Sequence, residues 1–319
     1  MVSDIQIYGA GVAGTYLYNL LIQDGFNVAI YDIRSSPDCR CGWGISYSEA
    51  KGLYREIGIN LDDYVLSKPE YIVINDRIWL KNKEVVMFDK RKLLEELWRD
   101  LEFKEISSDI IVDATGFKRA VLPRIERDSI YRTYQTVERH DVDENVYIYM
   151  RRTGYAWAFP LGDKRWHVGA GDLTVERAFE LIEKLRDLYG IKRVESECSC
   201  MGSIRLLPPS KCRPIVYGNV YGVGEAIGCV SGAGEGNAPS LKCAKVFFEC
   251  LKRDELDMYE KSVLEEFWWI EVEQEFVSAV QENKKLKALR LLPKIVSIES
   301  KRSIKQSVRD LKNILRLLR

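Results

Sequence analysis

Residues 5–21 read IQIYGAGVAGTYLYNLL, and residues 28–32 read VAIYD. A short apolar run passes straight into Gly9-Ala10-Gly11-Val12-Ala13-Gly14. A helical pattern follows, and a second apolar run ends in Asp32. The spacing has a chemical reason. Gly9 permits a tight turn off the strand, Gly11 lets the backbone approach a pyrophosphate, and Gly14 lets helix and strand pack closely. Val12 and Ala13 begin the helix, whose unpaired N–H groups face phosphates, while Asp32 is placed to accept from a ribose hydroxyl. Ile33 and Arg34 flank that acid, and Arg34 is a candidate partner for the adenosine phosphates or a solvated surface charge. A glycine-rich turn without function shares the glycines. It does not require a strand before, a helix after and an acid at the end of the second strand. Dinucleotide binding on a Rossmann-like domain is therefore the expectation.

The 319 residues suffice for one large or two moderate domains. Lys and Arg number 48, as do Asp and Glu. That balance argues against nucleic acid as the main partner. A hydrophobic content of 46% is ordinary for a chain with a sizeable core. The N-terminus reads as a core strand, lacking the basic region and cleavage site of a signal peptide. No apolar run approaches the roughly 18 residues that span a bilayer. The expectation is a cytoplasmic protein, with peripheral membrane contact left open. In that compartment disulfides are a poor default for the eight cysteines. The pairs Cys39/Cys41 and Cys198/Cys200 have C-x-C spacing, not the C-x-x-C of zinc ribbons and redox motifs. With only His140 and His167 besides, no metal site is expected.

The pattern changes character along the chain. Strand–helix–strand over 4–34 gives way to a loop at 35–48 containing Cys39, Cys41, Gly42 and Gly44. Residues 71–88 read as three short strands, 89–101 as an amphipathic helix, and 109–112 as a buried strand ending at Asp113. Between 131 and 170, alternating segments joined by turn residues read as an antiparallel sheet. Residues 175–189 read as a helix, 219–223 as a strand, and about 239–251 as a helix after a glycine-dense loop. The fold class is α/β with an α+β second domain. Residues 1–70, 89–128 and 206–252 form the dinucleotide domain, and 71–88 with 129–205 form an antiparallel-sheet substrate domain. Residues 253–319 form a C-terminal helical region, read as helical throughout. The stretch 284–319 is strongly basic, with Ile304, Val308, Leu311, Leu315 and Leu318 at helical spacing. A solvated amphipathic surface and docking to anionic lipid headgroups both produce that pattern.

Five stations line up along residues 9–237: GAGVAG at 9–14, CGWG at 41–44, DATG at 113–116, GYAWAFP at 154–160, and GVGEAIGCVSGAGEGN at 222–237. In this order they resemble the FAD-dependent geranylgeranyl reductases. These belong to the superfamily of aromatic hydroxylases with a glutathione-reductase-like FAD fold. The run Tyr155-Ala156-Trp157-Ala158-Phe159-Pro160 is the most discriminating, because it matches the reductases' YxWxFP pattern. The resemblance implies FAD in the dinucleotide domain, roofed by the antiparallel sheet. It implies hydride transfer from reduced flavin N5 to a prenyl C=C bond, completed by a proton, on a geranylgeranyl chain of an isoprenoid lipid.

The resemblance also implies roles for residues. Cys41 and Gly42 would lie near the flavin ring, with Cys41 a candidate proton relay. Arg91 would contact FAD from a helix start, and Ala114, Thr115 and Gly116 would pass its adenosine half. Tyr155, Trp157 and Phe159 alternate, so they share one strand face. They would line the substrate tunnel, which must be apolar for a chain with no polar handle. Tyr155 is a further candidate for catalysis. Gly224-Glu225 stands where the superfamily has Gly-Asp for the ribityl or pyrophosphate region. Gly234, Gly236 and Asn237 lead into a helix whose N–H groups would face the flavin pyrimidine. The proline common in that loop is missing. Because no second GxGxxG occurs, the electron donor is expected to be a ferredoxin-like protein or transiently bound NAD(P)H. Rival readings on the same scaffold are a monooxygenase or halogenase, a non-redox prenyl cyclase or isomerase, and a lipid-binding protein keeping FAD as structure.

Overall fold

The computed structural model describes residues 4–37, 42–302 and 304–305. The opening run forms β1 (Ile5–Tyr8), α1 (Val12–Gln23) and β2 (Val28–Tyr31). Ile5, Ile7 and Ile30 are fully buried, as strands covered on both faces require. Next come β3 (Gly44–Ser46), α2 (Tyr47–Glu56), β4 (Val65–Ser67), β5 (Tyr71–Ile74), β6 (Ile78–Asn82) and β7 (Val85–Phe88). They are followed by α3 (Lys90–Trp98), N-capped by Asp89, whose side chain accepts from Lys92 N, and by β8 (Ile110–Asp113). The second half opens with β9 (Ile130–Arg139), β10 (Val146–Met150), β11 (Tyr155–Pro160), β12 (Arg165–Asp172), α4 (Val175–Tyr189) and β13 (Cys198–Arg205). The chain then returns through β14 (Val216–Tyr217), β15 (Val220–Gly222) and α5 (Asn237–Lys252). It finishes with α6 (Tyr259–Glu266), α7 (Trp268–Gln281), α8 (Lys285–Arg302) and β16 (Ile304–Lys305).

The first sheet runs β14-β15-β8-β1-β2, parallel except for the β14–β15 hairpin. α1 packs on α5 over it, and both contribute to one large apolar core. The second sheet has the order β13-β9-β12-β11-β10-β5-β6-β16 and is antiparallel except for β10–β5. Ala156, Ala158, Val168 and Ala170 face α4, where they meet Ala178, Leu181 and Leu185. The small alanines let the helix sit close, so the opposite face, carrying the aromatics of β11, turns toward the first unit. This is the α/β architecture with an antiparallel second unit that the sequence implied.

Two details depart from expectation. β7 pairs with β3 and β4 in a separate three-stranded sheet rather than extending the strands at 71–82. Its residues are apolar without interruption, so it suits a position buried on both sides. Val86 and Phe88 enter the first core, and Met87 enters the cluster around Trp43 and Trp157. The C-terminal region is not helical throughout. After α8, Ile304–Lys305 pairs antiparallel with Lys81 and Asn82 of β6. An edge strand offers unpaired N–H and C=O groups, and a short added strand satisfies them. Val308, Leu311, Leu315 and Leu318 lie outside the described residues. Among the described residues no helix is long and apolar enough to cross a membrane. No group of three or more His, Cys, Asp or Glu is placed there to hold a metal ion.

Candidate functional site

The parallel strands β1 and β8 end side by side, and their turns interlock. Gly9 has φ +101°, and a Cβ there would stand 2.4 Å from the Ala114 carbonyl oxygen. A Cβ on Gly14 would stand 1.9 Å from the Gly9 carbonyl oxygen. At Gly11, by contrast, a Cβ would meet nothing within 4 Å. Two glycines are thus demanded by packing, and the third borders open space at the start of α1, where Val12 and Ala13 open the helix.

Asp32 closes this corner. Its Oδ2 accepts from Ala10 N and Arg34 Nη2, both at 2.7 Å, and its Oδ1 accepts from Arg34 N and Nε, both at 2.9 Å. Burial works to raise its pKa, but the Arg34 and Ala10 donors outweigh it and hold the carboxyl below the usual range. These four bonds use the carboxylate's lone-pair sites. A ribose hydroxyl reaching Asp32 must displace part of Arg34, whose guanidinium lies 5.3 Å over the Trp98 ring. Ile33 between them is 88% exposed.

At the end of β8, Asp113 is fully buried. Its Oδ1 accepts from Thr115 N and Oγ1, and its Oδ2 accepts from Val121 N and Leu122 N. This fixes the turn through Ala114, Thr115 and Gly116. Gly116 has φ +63°, and Glu225 Oε2 lies 3.4 Å from where its Cβ would be. Glu225 Oε1 accepts from Arg205 N at 2.7 Å. Burial pushes the Glu225 carboxyl up to about 7, against the pull of Arg205 and Lys90. Gly224 packs against Ala13. Arg205, 2% exposed, ties the junction together: it donates to both Asp128 oxygens and to the Glu225 and Phe117 carbonyls.

On β11, Tyr155, Trp157 and Phe159 share a face, with ring centroids 5.6 and 5.9 Å apart along the strand. Trp43, from the 42–44 segment, lies on the same cluster. A Cβ on Gly42 would touch the Phe159 ring at 3.7 Å. Asn237 Nδ2 donates to the Gly42 and Gly44 carbonyls at 3.2 and 3.0 Å. Tyr155 Oη donates to the Ala233 carbonyl at 2.6 Å and stands 2.8 Å from where a Gly234 Cβ would be. Gly236 leads from there into α5. Three distant stretches therefore meet: the 42–44 segment, the 232–237 loop and the aromatic face. Burial pushes the Tyr155 phenol up to about 12, so it stays protonated at neutral pH. Cys41 and Cys39 lie outside the described residues.

Arg91 lies in the first turn of α3 with its side chain turned outward. Its side chain is more than half exposed and pairs with Glu95 one turn along α3 at 2.8 Å. The buried cation of that turn is Lys90, one position earlier, which acts on Glu225.

His167 was also missed, although pairing with Phe159 puts it on the same face as the aromatics. It is 1% exposed and stacks on Trp157 with rings 8° from parallel. Trp157 Nε1 donates to His167 Nδ1 at 2.9 Å. Burial pulls the imidazole down to about 3. The ring is therefore neutral and its proton sits on Nε2, a buried donor beside aromatic rings with no partner among the described residues. His167 is expected to show no titration from pH 5 to pH 9 by 15N NMR, with Nδ1 unprotonated throughout. An inflection in that window would mean that burial does not keep the ring neutral, and a protonated Nδ1 would mean that the Trp157 bond does not fix the tautomer.

No family model matches the chain. An uncharacterized protein of Methanocaldococcus jannaschii is 24% identical over 312 residues, covering 79% of this chain and 84% of that one. A geranylgeranyl bacteriochlorophyll reductase-like protein of Thermoplasma acidophilum has the same fold. Its TM-score is 0.74 at 18% identity, with 98% of this chain and 95% of that chain covered. The probable FAD-dependent monooxygenase PqsL of Pseudomonas aeruginosa superposes with TM-score 0.63 at 14% identity, covering 91% and 99%. The fold is thus the one shared by geranylgeranyl reductase-like and FAD-dependent monooxygenase structures.

Proposed function

We propose that this chain binds FAD and saturates C=C bonds of prenyl chains on isoprenoid lipids. The observation that carries the reading is the meeting of the β11 aromatic face with the 42–44 segment and the 232–237 loop. The residues present fit the cofactor. Gly11 borders open space at the start of α1, so a pyrophosphate can approach Val12 and Ala13 N–H groups. The turns at 114–116 and 224–225 supply close backbone beside that helix. Trp157, Phe159 and Trp43 form an apolar wall suited to an unfunctionalised hydrocarbon. Bound reduced FAD would supply a hydride to one alkene carbon while a proton reaches the other. Tyr155 holds a phenolic proton at the edge of this wall and fixes the Ala233 carbonyl. The monooxygenase reading shares the fold, and an apolar wall suits its aromatic substrates too; the YxWxFP match at residues 155–160 favours the reductase.

The test is mass spectrometry of geranylgeranyl diphosphate and of an unsaturated digeranylgeranyl lipid after anaerobic incubation with dithionite-reduced, FAD-loaded protein. A gain of two hydrogens per bond, absent without protein, is expected. An added oxygen under air, with no hydrogenation under anaerobic conditions, would replace this reading with the monooxygenase one. Unchanged substrate with FAD bound and reduced would remove prenyl reduction.

A further inference from the structure

The loop at 231–237 is held from behind as well as from the aromatic face. Gly232 N donates to Glu273 Oε2 of α7 at 2.7 Å. A Cβ on Gly232 would stand 2.8 Å from the Glu273 Cβ, so α7 packs on the loop backbone itself. At the other end of the loop, Glu235 Oε1 accepts from Ala238 N at 2.8 Å. Its Oε2 lies 3.6 Å from Arg302 Nη2, in the last turn of α8. The Arg302 guanidinium lies 3.5 Å over the Trp269 ring of α7, so the two helices hold it jointly. Glu273 is buried, and burial first, then the neighbouring Glu299 carboxyl of α8, push its own carboxyl up. On the inner side, Tyr155 holds the Ala233 carbonyl between the two clamped ends.

The geometry points to Glu273 and Arg302 as positioning residues: the α7–α8 hairpin sets the 232–237 loop against the aromatic face, and with it the environment of the cofactor ring. The inference rests on the FAD reading. Neither residue reaches the β11 aromatics itself; each acts through the loop. An acceptor at 273 and a cation at 302 keep the loop backbone in one place. Any N–H that the loop directs at the cofactor then has a fixed position when the cofactor changes charge.

Three variants of the full chain test this: Glu273→Met, which keeps the size but loses the acceptor, Glu273→Gln, which keeps an acceptor, and Arg302→Met. Two readouts are needed, amide exchange at Gly232 without FAD and the midpoint potential of the bound flavin. Glu273→Met is expected to speed Gly232 exchange. It should also change the ratio of oxidised to reduced FAD affinity by about tenfold, about 30 mV for a two-electron couple. Glu273→Gln should restore both readouts toward wild type. Arg302→Met should shift the potential in the same sense, and it carries the test if Glu273→Met fails to fold. Faster exchange with an unchanged potential in both Met variants would overturn the inference and leave a purely structural clamp. Unchanged exchange would overturn the clamp itself. Wild-type protein that takes up no FAD would strike the functional reading and the inference resting on it, while the exchange measurement would still report on the loop.

Discussion

Gly14→Val is expected to destabilise the protein by at least about 3 kcal/mol, the upper range for overpacking, and to abolish FAD uptake. The Cβ alone would lie 1.9 Å from the Gly9 carbonyl oxygen, and that oxygen belongs to a turn wedged against Ala114. No side chain is there to rotate away, so either α1 lifts from β1 or the Gly9 turn opens. Gly11 should behave in the opposite way. Its φ of −78° suits any residue, and a Cβ there meets nothing. Gly11→Ala should therefore leave stability within about 1 kcal/mol of wild type, the range for an N-cap change. It should nevertheless weaken FAD binding at least about tenfold, or about 1.4 kcal/mol, because the methyl group occupies the approach to the helix N-terminus. Thermal unfolding and a flavin-quenching titration on the two variants separate the effects. Wild-type FAD affinity in Gly11→Ala would place the pyrophosphate elsewhere. An unchanged melting temperature in Gly14→Val would contradict the packing argument.

That contrast bears on how much could be read before the structure. The β1–α1–β2 unit and its glycines were legible because the pattern is local: strand, glycines, helix and acid fall within about thirty residues, and the spacing follows from strand and helix geometry. The shared face of Tyr155, Trp157 and Phe159 was legible for the same reason, as alternation on a strand. What could not be read depends on phase or on distance. Lys90 and Arg91 are adjacent, and only the rotation of α3 decides that the lysine is buried and the arginine meets Glu95. His167 joins the aromatics only through the register of β11 against β12. Glu273 lies 41 residues beyond the glycine it holds, on a helix that shows an ordinary amphipathic pattern. The strand at 304–305 owes its conformation to the free edge of β6, which no local signal at its own position announces.

Glu138→Ala is expected to cost about 3–5 kcal/mol, the loss typical when one partner of a buried ion pair is removed. Glu138 lies on β9 beneath α4. Both its oxygens accept from Arg186 Nη2, at 2.6 and 2.9 Å. His140 Nε2 donates to Oε2 at 2.8 Å, and Thr136 Oγ1 donates to Oε1 at 2.6 Å. Removing the carboxylate leaves the guanidinium of a 10%-exposed side chain with only Glu183, at 3.9 Å, as a counter-charge, and loosens α4 on the sheet whose other face carries Trp157 and His167. Burial alone would raise the Glu138 pKa, but His140, Arg186 and Thr136 outweigh it and bring it from 4.5 to about 2. The sign follows. Above pH 4.5 the carboxyl is ionised in both states and the stabilisation is complete. As pH falls from 4.5 toward 2 the unfolded chain takes up the proton first, and about 3 kcal/mol is lost. Glu138→Gln removes the charge and keeps the shape, so its deficit against wild type should be full at pH 7 and shrink as pH approaches 2. His167, held neutral in the fold, also loses stability on acidification, below its ordinary 6.5. It does so equally in both proteins, so the difference in urea unfolding free energy isolates Glu138 together with its bonded partner His140. A deficit that persists undiminished at low pH would mean that Glu138 contributes through packing and not through charge.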